Sequence, residues 1–449
     1  MITGCGIYQK YERPAGVRPS QVLFGMDIKD STSMAELNWT QMFTDTLLQN
    51  LIKEALDSNI DLRISHLNVT QAEEALRMAK LSYLPSLGLS PQGQTGWFNS
   101  TFAEGGITSD SPFTWSVPVA ASWELDFTGN KTNRKRQAAS NYDMAKANEL
   151  ASQTALIANI AALYYNLLSL DEQAAYTEGS IARYSRSVEV LESMKQAGMS
   201  NQVAVSQMES AMYAANAQAA ELRQSIKELE NSLCVLLCRT PQHIKRGKFE
   251  DSNFPTELTV GLPAQLLERR PDVMAAESSL ASAYYGVNVA KSSLLPSLSL
   301  SGQAGWTNSL NEAIVNPTGL LLSAAASLFQ PIFRNGTLQG QLKISKAQME
   351  QAELTLVKTL LNAGTEVNNA LALYQKALFK EECRDKQIMS LDNALGDTEF
   401  LVKYTSTTYL EVLTAQQSLL EAQIGRSSDR LEKATAVINL YRALGGGTK

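Results

Sequence analysis

Leu84-Pro85-Ser86-Leu87-Gly88-Leu89-Ser90 returns later in the chain as Leu295-Pro296-Ser297-Leu298-Ser299-Leu300-Ser301. Gly93-Gln94-Thr95-Gly96-Trp97 returns as Gly302-Gln303-Ala304-Gly305-Trp306. The displacement is 211 residues for the first pair and 209 for the second. A slip of two leaves every side chain of an extended strand on its original face. Each copy stands ahead of a very long stretch of helical character, so the repeat predicts a duplicated architecture of strand, strand and helical hairpin. A length of 449 residues would by itself suggest ~3 domains; the repeat argues instead for one interleaved fold of two similar halves.

Prolines mark out the helical stretches. None lies between Pro118 and Pro241, and none follows Pro331. Proline costs about 3 kcal/mol inside a helix, so both blocks are free to be unbroken helix. Each has one weak point. Ala197-Gly198-Met199-Ser200-Asn201 is a glycine stop followed by polar caps, and Tyr404-Thr405-Ser406-Thr407-Thr408-Tyr409 is a β-branched, hydroxyl-rich break. The reading is two hairpins, 131–196 with 201–239 and 336–403 with 408–443. A helix of about 65 residues is about 100 Å long at ~1.5 Å per residue, far above the average of roughly 11–12 residues. Leu156, Ile160, Leu163, Leu167 and Leu170 recur at three- and four-residue steps with many alanines between, as long side-by-side helices require.

The strands alternate. In 115–127 the odd positions are Trp115, Val117, Val119, Ala121, Trp123, Leu125 and Phe127, and the even positions are small or polar up to Glu124 and Asp126. Leu298, Leu300, Ala304 and Trp306 alternate with Ser297, Ser299, Ser301 and Gln303, and a weaker pattern runs through 320–329. An apolar outer band with aromatic ends and a polar lumen is the pattern of a membrane β-barrel. A soluble sandwich alternates in the same way, but helices this long cannot fold back over a small sheet. Four strands cannot close a barrel alone, so closure needs several copies. Segments 99–112 and 307–318 read as hairpin loops, and 45–59 and 61–81 as shorter collar helices. The expected organisation is 1–82 N-terminal segment and collar, 83–128 first β-hairpin, 129–239 first helical hairpin, 240–295 collar, 296–333 second β-hairpin and 334–449 second helical hairpin with the C-terminus.

Composition narrows the function. A net charge of −6 offers no basic face to nucleic acid. There is no run of 18 or more apolar residues to form a transmembrane helix, which leaves a β-barrel open. The chain has two histidines, His66 and His243, and no glycine-rich phosphate loop, nucleophile elbow or metal-ligand cluster. No catalytic residue, metal site or cofactor is therefore expected. Cys234 and Cys238 with His243 lack an evident fourth ligand and read as helix packing.

Leu262-Pro263-Ala264-Gln265-Leu266-Leu267-Glu268-Arg269-Arg270-Pro271-Asp272-Val273, with Asn59-Ile60-Asp61-Leu62-Arg63, Ser122-Trp123-Glu124-Leu125-Asp126, Tyr409-Leu410-Glu411-Val412-Leu413 and 440–447, resembles the bacterial outer-membrane efflux proteins. These are the TolC-like exit ducts, and the likeness is greatest to their lipoprotein branch typified by OprM and CusC. It covers nearly the whole chain. In local terms Pro263 and Pro271 sit where helices begin, and Asp272 lies in a first turn favoured by the helix dipole.

The resemblance implies a homotrimer in the bacterial outer membrane. Four strands per chain would close a twelve-stranded β-barrel, and the helical hairpins would form an α-helical barrel projecting into the periplasm. It implies a periplasmic membrane-fusion adaptor and an inner-membrane RND-type pump as partners, with the duct passively conducting small molecules such as drugs or metal ions. Ile2-Thr3-Gly4-Cys5 resembles the end of a lipoprotein signal, which would place a covalent lipid such as palmitate on Cys5. The gate position falls on Leu410, with Glu411 beside it; relatives often carry an acidic residue where this chain has Thr414. The tips, Gly198, Met199 and Ser200 with Thr405, Ser406 and Thr407, would dock the adaptor. Trp97, Trp115, Trp123 and Trp306 would form the aromatic girdle against outer-membrane lipid. Glu124 and Asp126 would face the lumen, and Lys131, Arg134, Lys135 and Arg136 would be solvated or meet lipid phosphates. A protein-secretion duct and a soluble coiled-coil scaffold are the competing readings.

Overall fold

The computed structural model describes residues 7–14, 39–94, 114–249, 270–309, 319–404 and 409–446. Cys5, Trp97, Leu262, Pro263, Arg269, Thr405, Ser406 and Thr407 lie outside the described residues. In chain order the helices are α1 (Trp39–Met42), α2 (Thr46–Ser58), α3 (Ile60–Leu81), α4 (Asn130–Gln196), α5 (Gln202–Leu236), α6 (Pro271–Ser292), α7 (Thr337–Tyr404) and α8 (Tyr409–Ala443). The strands are β1 (Ser86–Leu89), β2 (Gln92–Gln94), β3 (Thr114–Leu125), β4 (Ser297–Ser309) and β5 (Gly319–Phe329).

The duplication is metric. Helices α3 and α6 each have 22 residues, and their first residues, Ile60 and Pro271, are 211 apart. Helices α4 and α7 have 67 and 68 residues, α5 and α8 have 35 each, and both pairs start 207 apart. Even the turns correspond. Gly129 and Gly336 precede the long helices with φ of 75° each, a left-handed conformation that glycine adopts without a Cβ penalty. At the far ends Cys238 (φ 54°) holds the position that Gly445 (φ 70°) holds in the second half. Both close their helices in the same way, with Arg239 N–H donating to Cys234 O and Gly446 N–H to Tyr441 O, the 6→1 bond of a Schellman cap.

The chain forms two compact units, each assembled from three segments. The first (1–17, 69–145 and 276–356) contains the sheet. Its order is β1-β3-β4-β5, with β2 also paired to β3. Strands β1 and β2 therefore share one position, broken at Ser90-Pro91, and the sheet has four strand positions among the described residues. All pairings are antiparallel. The register sets Trp123 against Leu300, Val119 against Ala304 and Val117 against Trp306, and continues Ala304 to Leu322 and Leu298 to Leu328. One face is therefore apolar across the sheet, and that face is uncovered: Leu87, Leu89, Val119, Trp123, Trp306, Leu322 and Leu328 are all exposed. A soluble sandwich would have buried them.

The two-residue slip between the copies of Gly-Gln-x-Gly-Trp is visible on the ladder. Gly93 faces Trp115 and Gly302 faces Ala324, positions that differ by two once the 207-residue displacement is removed, so the face is kept. The second glycine of the later copy has its own reason. A Cβ on Gly305 would lie 2.4 Å from Pro118 Cα and 2.4 Å from Val117 O. Asp126 corrects an expectation: its carboxylate does not point free into a lumen but accepts from Lys131 N–H (2.9 Å), Thr132 N–H (2.8 Å) and Thr132 Oγ1, capping the start of α4. The basic run is likewise engaged within the protein. Lys131 donates to Ser82 O and Arg134 to Asn130 Oδ1, Lys135 lies over the Tyr83 ring, and Arg136 lies over Tyr285.

The second unit (18–68, 146–275 and 357–449) contains the main apolar core. Phe43, Leu48 and Ile52 meet Ile157, Ile160 and Leu168 of α4 and Val437, Leu440 and Tyr441 of α8. Tyr164 donates its hydroxyl to Asp45, whose other oxygen caps α2; burial first, then that bond to a carboxylate, pushes the phenol well above its ordinary pKa. Ser169 and Ser427 exchange hydroxyl-to-carbonyl bonds of 3.2 and 2.9 Å between α4 and α8, a close approach that only small residues allow.

Gly305→Ala is expected to force β3 and β4 apart at Pro118 and to cost about 1–3 kcal/mol, as overpacking does. Thermal unfolding of the detergent-extracted protein, followed by circular dichroism, checks it; an unchanged midpoint would refute the close approach.

Candidate functional site

The first hairpin tip is built by a glycine. Helix α4 ends at Gln196, Gly198 turns left-handed at φ 72°, and Met199 N–H donates to Met194 O at 2.8 Å. Asn201 then caps α5 through Ala204 N–H at 3.0 Å. The turn presents Met199 at 73% exposure, with Ser200 half-buried beside it. At the second tip the described chain resumes at Tyr409.

Helix α8 begins with a sharp division of faces. Val412, Leu413, Gln416, Leu419 and Leu420 are buried, whereas Leu410 is 57% exposed and Glu411 and Thr414 are exposed. Thr414 carries no charge to this level, and its hydroxyl donates back to Leu410 O at 2.9 Å. A groove beside Leu410 and Leu413 is completed by Gln202, Val203, Ser206 and Gln207 of α5. Val203, 63% exposed, stands 207 residues before Leu410 and so holds the same place in the first half. Sequence reasoning missed it; the displacement between the helix starts was the signal that could have found it. Behind the groove, Tyr184, Leu191, Val205, Met208 and Leu413 form a small buried cluster. Tyr409 and Gln416 reach Ser187 of α4 at 3.4 and 3.3 Å.

Away from the tip, α7 and α8 are joined by charge. Asp429, 2% exposed, pairs with Lys380 and Arg384; Glu432 pairs with Lys376 and Lys380; Glu381 pairs with Arg430 and Lys433; Asp385 pairs with Arg426. Gly425 makes room for one of these crossings, since a Cβ there would lie 2.9 Å from the Arg384 guanidinium carbon. In the first half Arg246 bridges Asp171 and Glu230, and His243 also contacts Glu230. Burial alone would raise the Glu230 carboxyl, but hydrogen bonds from Arg246 and the Ile244 amide, with the Arg246 charge, hold it below the usual range. Burial likewise opposes Lys376 and Lys380 at Glu432, and the lysines prevail, holding it low.

The sequence signature meets the C-terminal motif. Arg270, nearly buried, donates to Ala443 O at 2.6 Å, to Asp272 Oδ1 at 3.0 Å and to Glu366 Oε2 at 2.8 Å. Pro271 opens α6 and Asp272 sits in its first turn. A Cβ on Gly445 would lie 3.1 Å from Arg270 Cα. Arg270, Pro271 and Asp272 thus act as structure, tying α6, α7 and the end of α8. In the sheet, Trp306 stands opposite Val117, next to the rung of Trp115, while Trp123 lies toward the other strand end and donates Nε1–H to Tyr83 O at 2.8 Å. The described tryptophans therefore mark two levels on the apolar face.

Residues 51–239 and 262–446 match the sequence model of the family described as outer membrane efflux protein. Cation efflux system protein CusC of Escherichia coli O6:H1 is 28% identical over 99% of this chain and 96% of the relative. Toluene efflux pump outer membrane protein TtgC of Pseudomonas putida is 28% identical over 100% of this chain and 93% of the relative. The open-state crystal structure of the Neisseria gonorrhoeae MtrE outer membrane channel superimposes with a TM-score of 0.84 at 25% identity, covering 98% of each chain.

The depressed carboxyls set a pH dependence. Their folded-state pKa values lie below the unfolded ones, so the unfolded chain binds more protons as pH drops below about 5. The stability from Glu230 and Glu432 is full above the ordinary carboxylate pKa and is lost as pH falls through their folded values. The melting temperature is expected to fall on acidification in this window, and to fall less in Glu230→Gln. Arg246→Leu, which removes the cation from Glu230 while leaving it the Ile244 amide and His243, is expected to cost about 1–3 kcal/mol at neutral pH.

Proposed function

The chain belongs to the outer membrane efflux protein family and is an outer-membrane exit channel rather than an enzyme; we propose that it works as the duct of a tripartite system expelling small molecules such as drugs or metal ions. The observation that carries this is the uncovered apolar face of the sheet, with Leu87, Leu89, Trp306, Leu322 and Leu328 exposed, in a chain whose other half is paired long helices. An apolar strand face needs lipid, and the paired helices supply a wall for a passage. The relatives named for cation and toluene efflux support a small-molecule cargo over a secreted protein.

On this reading the working particle is a homotrimer with twelve strand positions in one barrel. A periplasmic membrane-fusion adaptor docks at Gly198, Met199 and Ser200 and at Thr405, Ser406 and Thr407. An RND-type inner-membrane pump supplies the energy. Cys5 carries a lipid that tethers the N-terminus to the outer membrane. Three copies of Leu410 form an apolar ring that resists hydration, with Glu411 beside it.

Leu410→Ala is expected to raise entry of large antibiotics several-fold in cells making normal amounts of the protein. Unchanged susceptibility would remove Leu410 from the gate. The native mass in mild detergent is expected near three times the 49.0 kDa chain, and a monomer would overturn the shared barrel. Metabolic labelling with a radioactive fatty acid is expected to mark the full-length protein and to miss Cys5→Ala; an unlabelled parent would refute the anchor.

A further inference from the structure

The two halves differ most in charge where strands give way to long helices. Lys131 and Arg134 at the start of α4 correspond, at the 207-residue displacement, to Leu338 and Gln341 of α7. Arg334, just ahead of α7, corresponds to Phe127. In each case one half begins its long helix with a cation and the other does so without one. Starting the helices therefore does not account for these three charges.

The structure gathers all three around one cavity of about 550 Å³, wholly inside the first unit. Its walls are the end of α6 with the start of β4, the end of β3 with the start of α4, and the segment that follows β5. Glu124 is the one carboxylate lining it. The nearby Asp126 is committed to the amides of Lys131 and Thr132, so the cavity carries a cationic excess. The head groups are only partly spent. Lys131 Nζ donates to Ser82 O at 2.6 Å, and Arg134 uses Nε–H on Asn130 Oδ1 at 2.8 Å, which leaves further ammonium hydrogens and both terminal guanidinium nitrogens. Arg334 engages only its backbone carbonyl, which accepts from Thr337 N–H and Oγ1; its guanidinium has no partner among the described residues. Beside these charges stands an aromatic ring. Phe329 pairs with Ser297 and so lies on the polar side of the sheet, opposite to its neighbour Leu328. It is 57% exposed and belongs neither to the apolar face nor to a core. With Leu295 it gives the cavity an apolar wall.

We propose that this cavity binds small amphipathic anions. A phosphate, sulfonate or carboxylate is held by Lys131, Arg134 and Arg334, whose planar forks match such groups, while an apolar or aromatic body lies on Phe329 and Leu295. That the site meets cargo in transit rests on the duct reading above, in which the polar strand face lines the passage; the binding itself does not need it. A phospholipid headgroup carries the same chemistry, and the test separates the two sources.

The test uses the full-length protein in a non-ionic detergent, with 1-naphthyl phosphate as the calorimetric probe and inorganic phosphate and 1-naphthylmethylamine beside it. The aryl phosphate is expected to bind saturably, inorganic phosphate more weakly and the amine not at all, and raised salt is expected to weaken the aryl phosphate. Arg334→Gln is expected to weaken it about tenfold with an unchanged melting temperature, since that side chain holds nothing else. Phe329→Ala is expected to bring the aryl phosphate down to the level of inorganic phosphate. Equal affinity for both phosphates in the parent would overturn the apolar wall. Binding of the amine, or undiminished binding in Arg334→Gln, would overturn the anion site. Displacement of the probe by phosphatidylglycerol added to the micelles would overturn the free solute in favour of a headgroup. Conductance in planar bilayers separates this proposal from the duct reading. Conduction without probe binding would overturn the site alone, and probe binding without conduction would overturn the duct and leave the site standing.

Discussion

Backbone amides and carbonyls within a membrane must be satisfied by other backbone groups, and everything else in this chain accommodates that demand. On the proposed trimeric reading, a sheet of four strand positions, apolar on one side, meets it by curving into a ring with further copies. The chain is accordingly built twice over, with the same hairpin, the same long helix and the same cap in each half. Short pieces differ, Cys238 for Gly445 and Val203 for Leu410, but from the start of each long helix to its closing cap the spacing does not. Such constancy is what a ring of near-equivalent staves requires, because a stave with its own stagger would leave a gap at each seam.

The second unit is stabilised by two different means. The buried residues of α1, α2, α4 and α8 form an ordinary apolar core around Tyr164, Leu168 and Tyr441, and Arg270 binds the C-terminal turn to it. Helices α7 and α8 add to their apolar contacts a set of ion pairs around Asp429 and Glu432. Exposed pairs of this sort contribute little each, and the buried carboxylate of Asp429 gains most because two cations meet it at once. The part of that hairpin's stability carried by ion pairs is altered by salt and acid, unlike the apolar contacts along the same helices.

Much of the fold was legible in the sequence, because its strongest signals are negative. Blocks without proline gave α4, α5, α7 and α8 to within a few residues, since one proline would have broken them. Period-two alternation gave β3 and β4 for a similar reason: register errors reverse every side chain. What was not legible depends on contacts distant in the chain. Asp126 looked like a lumen charge because nothing in Glu-Leu-Asp-Phe announces that the carboxylate will cap a helix starting at Asn130. Arg270 was visible as part of a signature, yet its partner, the carbonyl of Ala443, has no side-chain identity to read. Val203 was overlooked because valine on a helix is usually packing, and only the paired displacement of the two halves marks it out. Thr414 stood out for lacking a charge, and its bond to Leu410 O is a local choice of a hydroxyl near a helix start.

The hairpins coincide on their ladders but not in their connecting segments. From Ser86 to its partner Ser122 the chain runs four residues further than from Ser297 to its partner Phe329. Because the rungs match, that surplus lies wholly in the segment joining the strands. Lengthening a loop carries only a logarithmic entropic cost, whereas adding one residue to a strand would reverse a face. Evolution can therefore lengthen, shorten or redecorate these joining segments at little risk to the barrel. Their sequence is free to drift while the strands they join stay as they are.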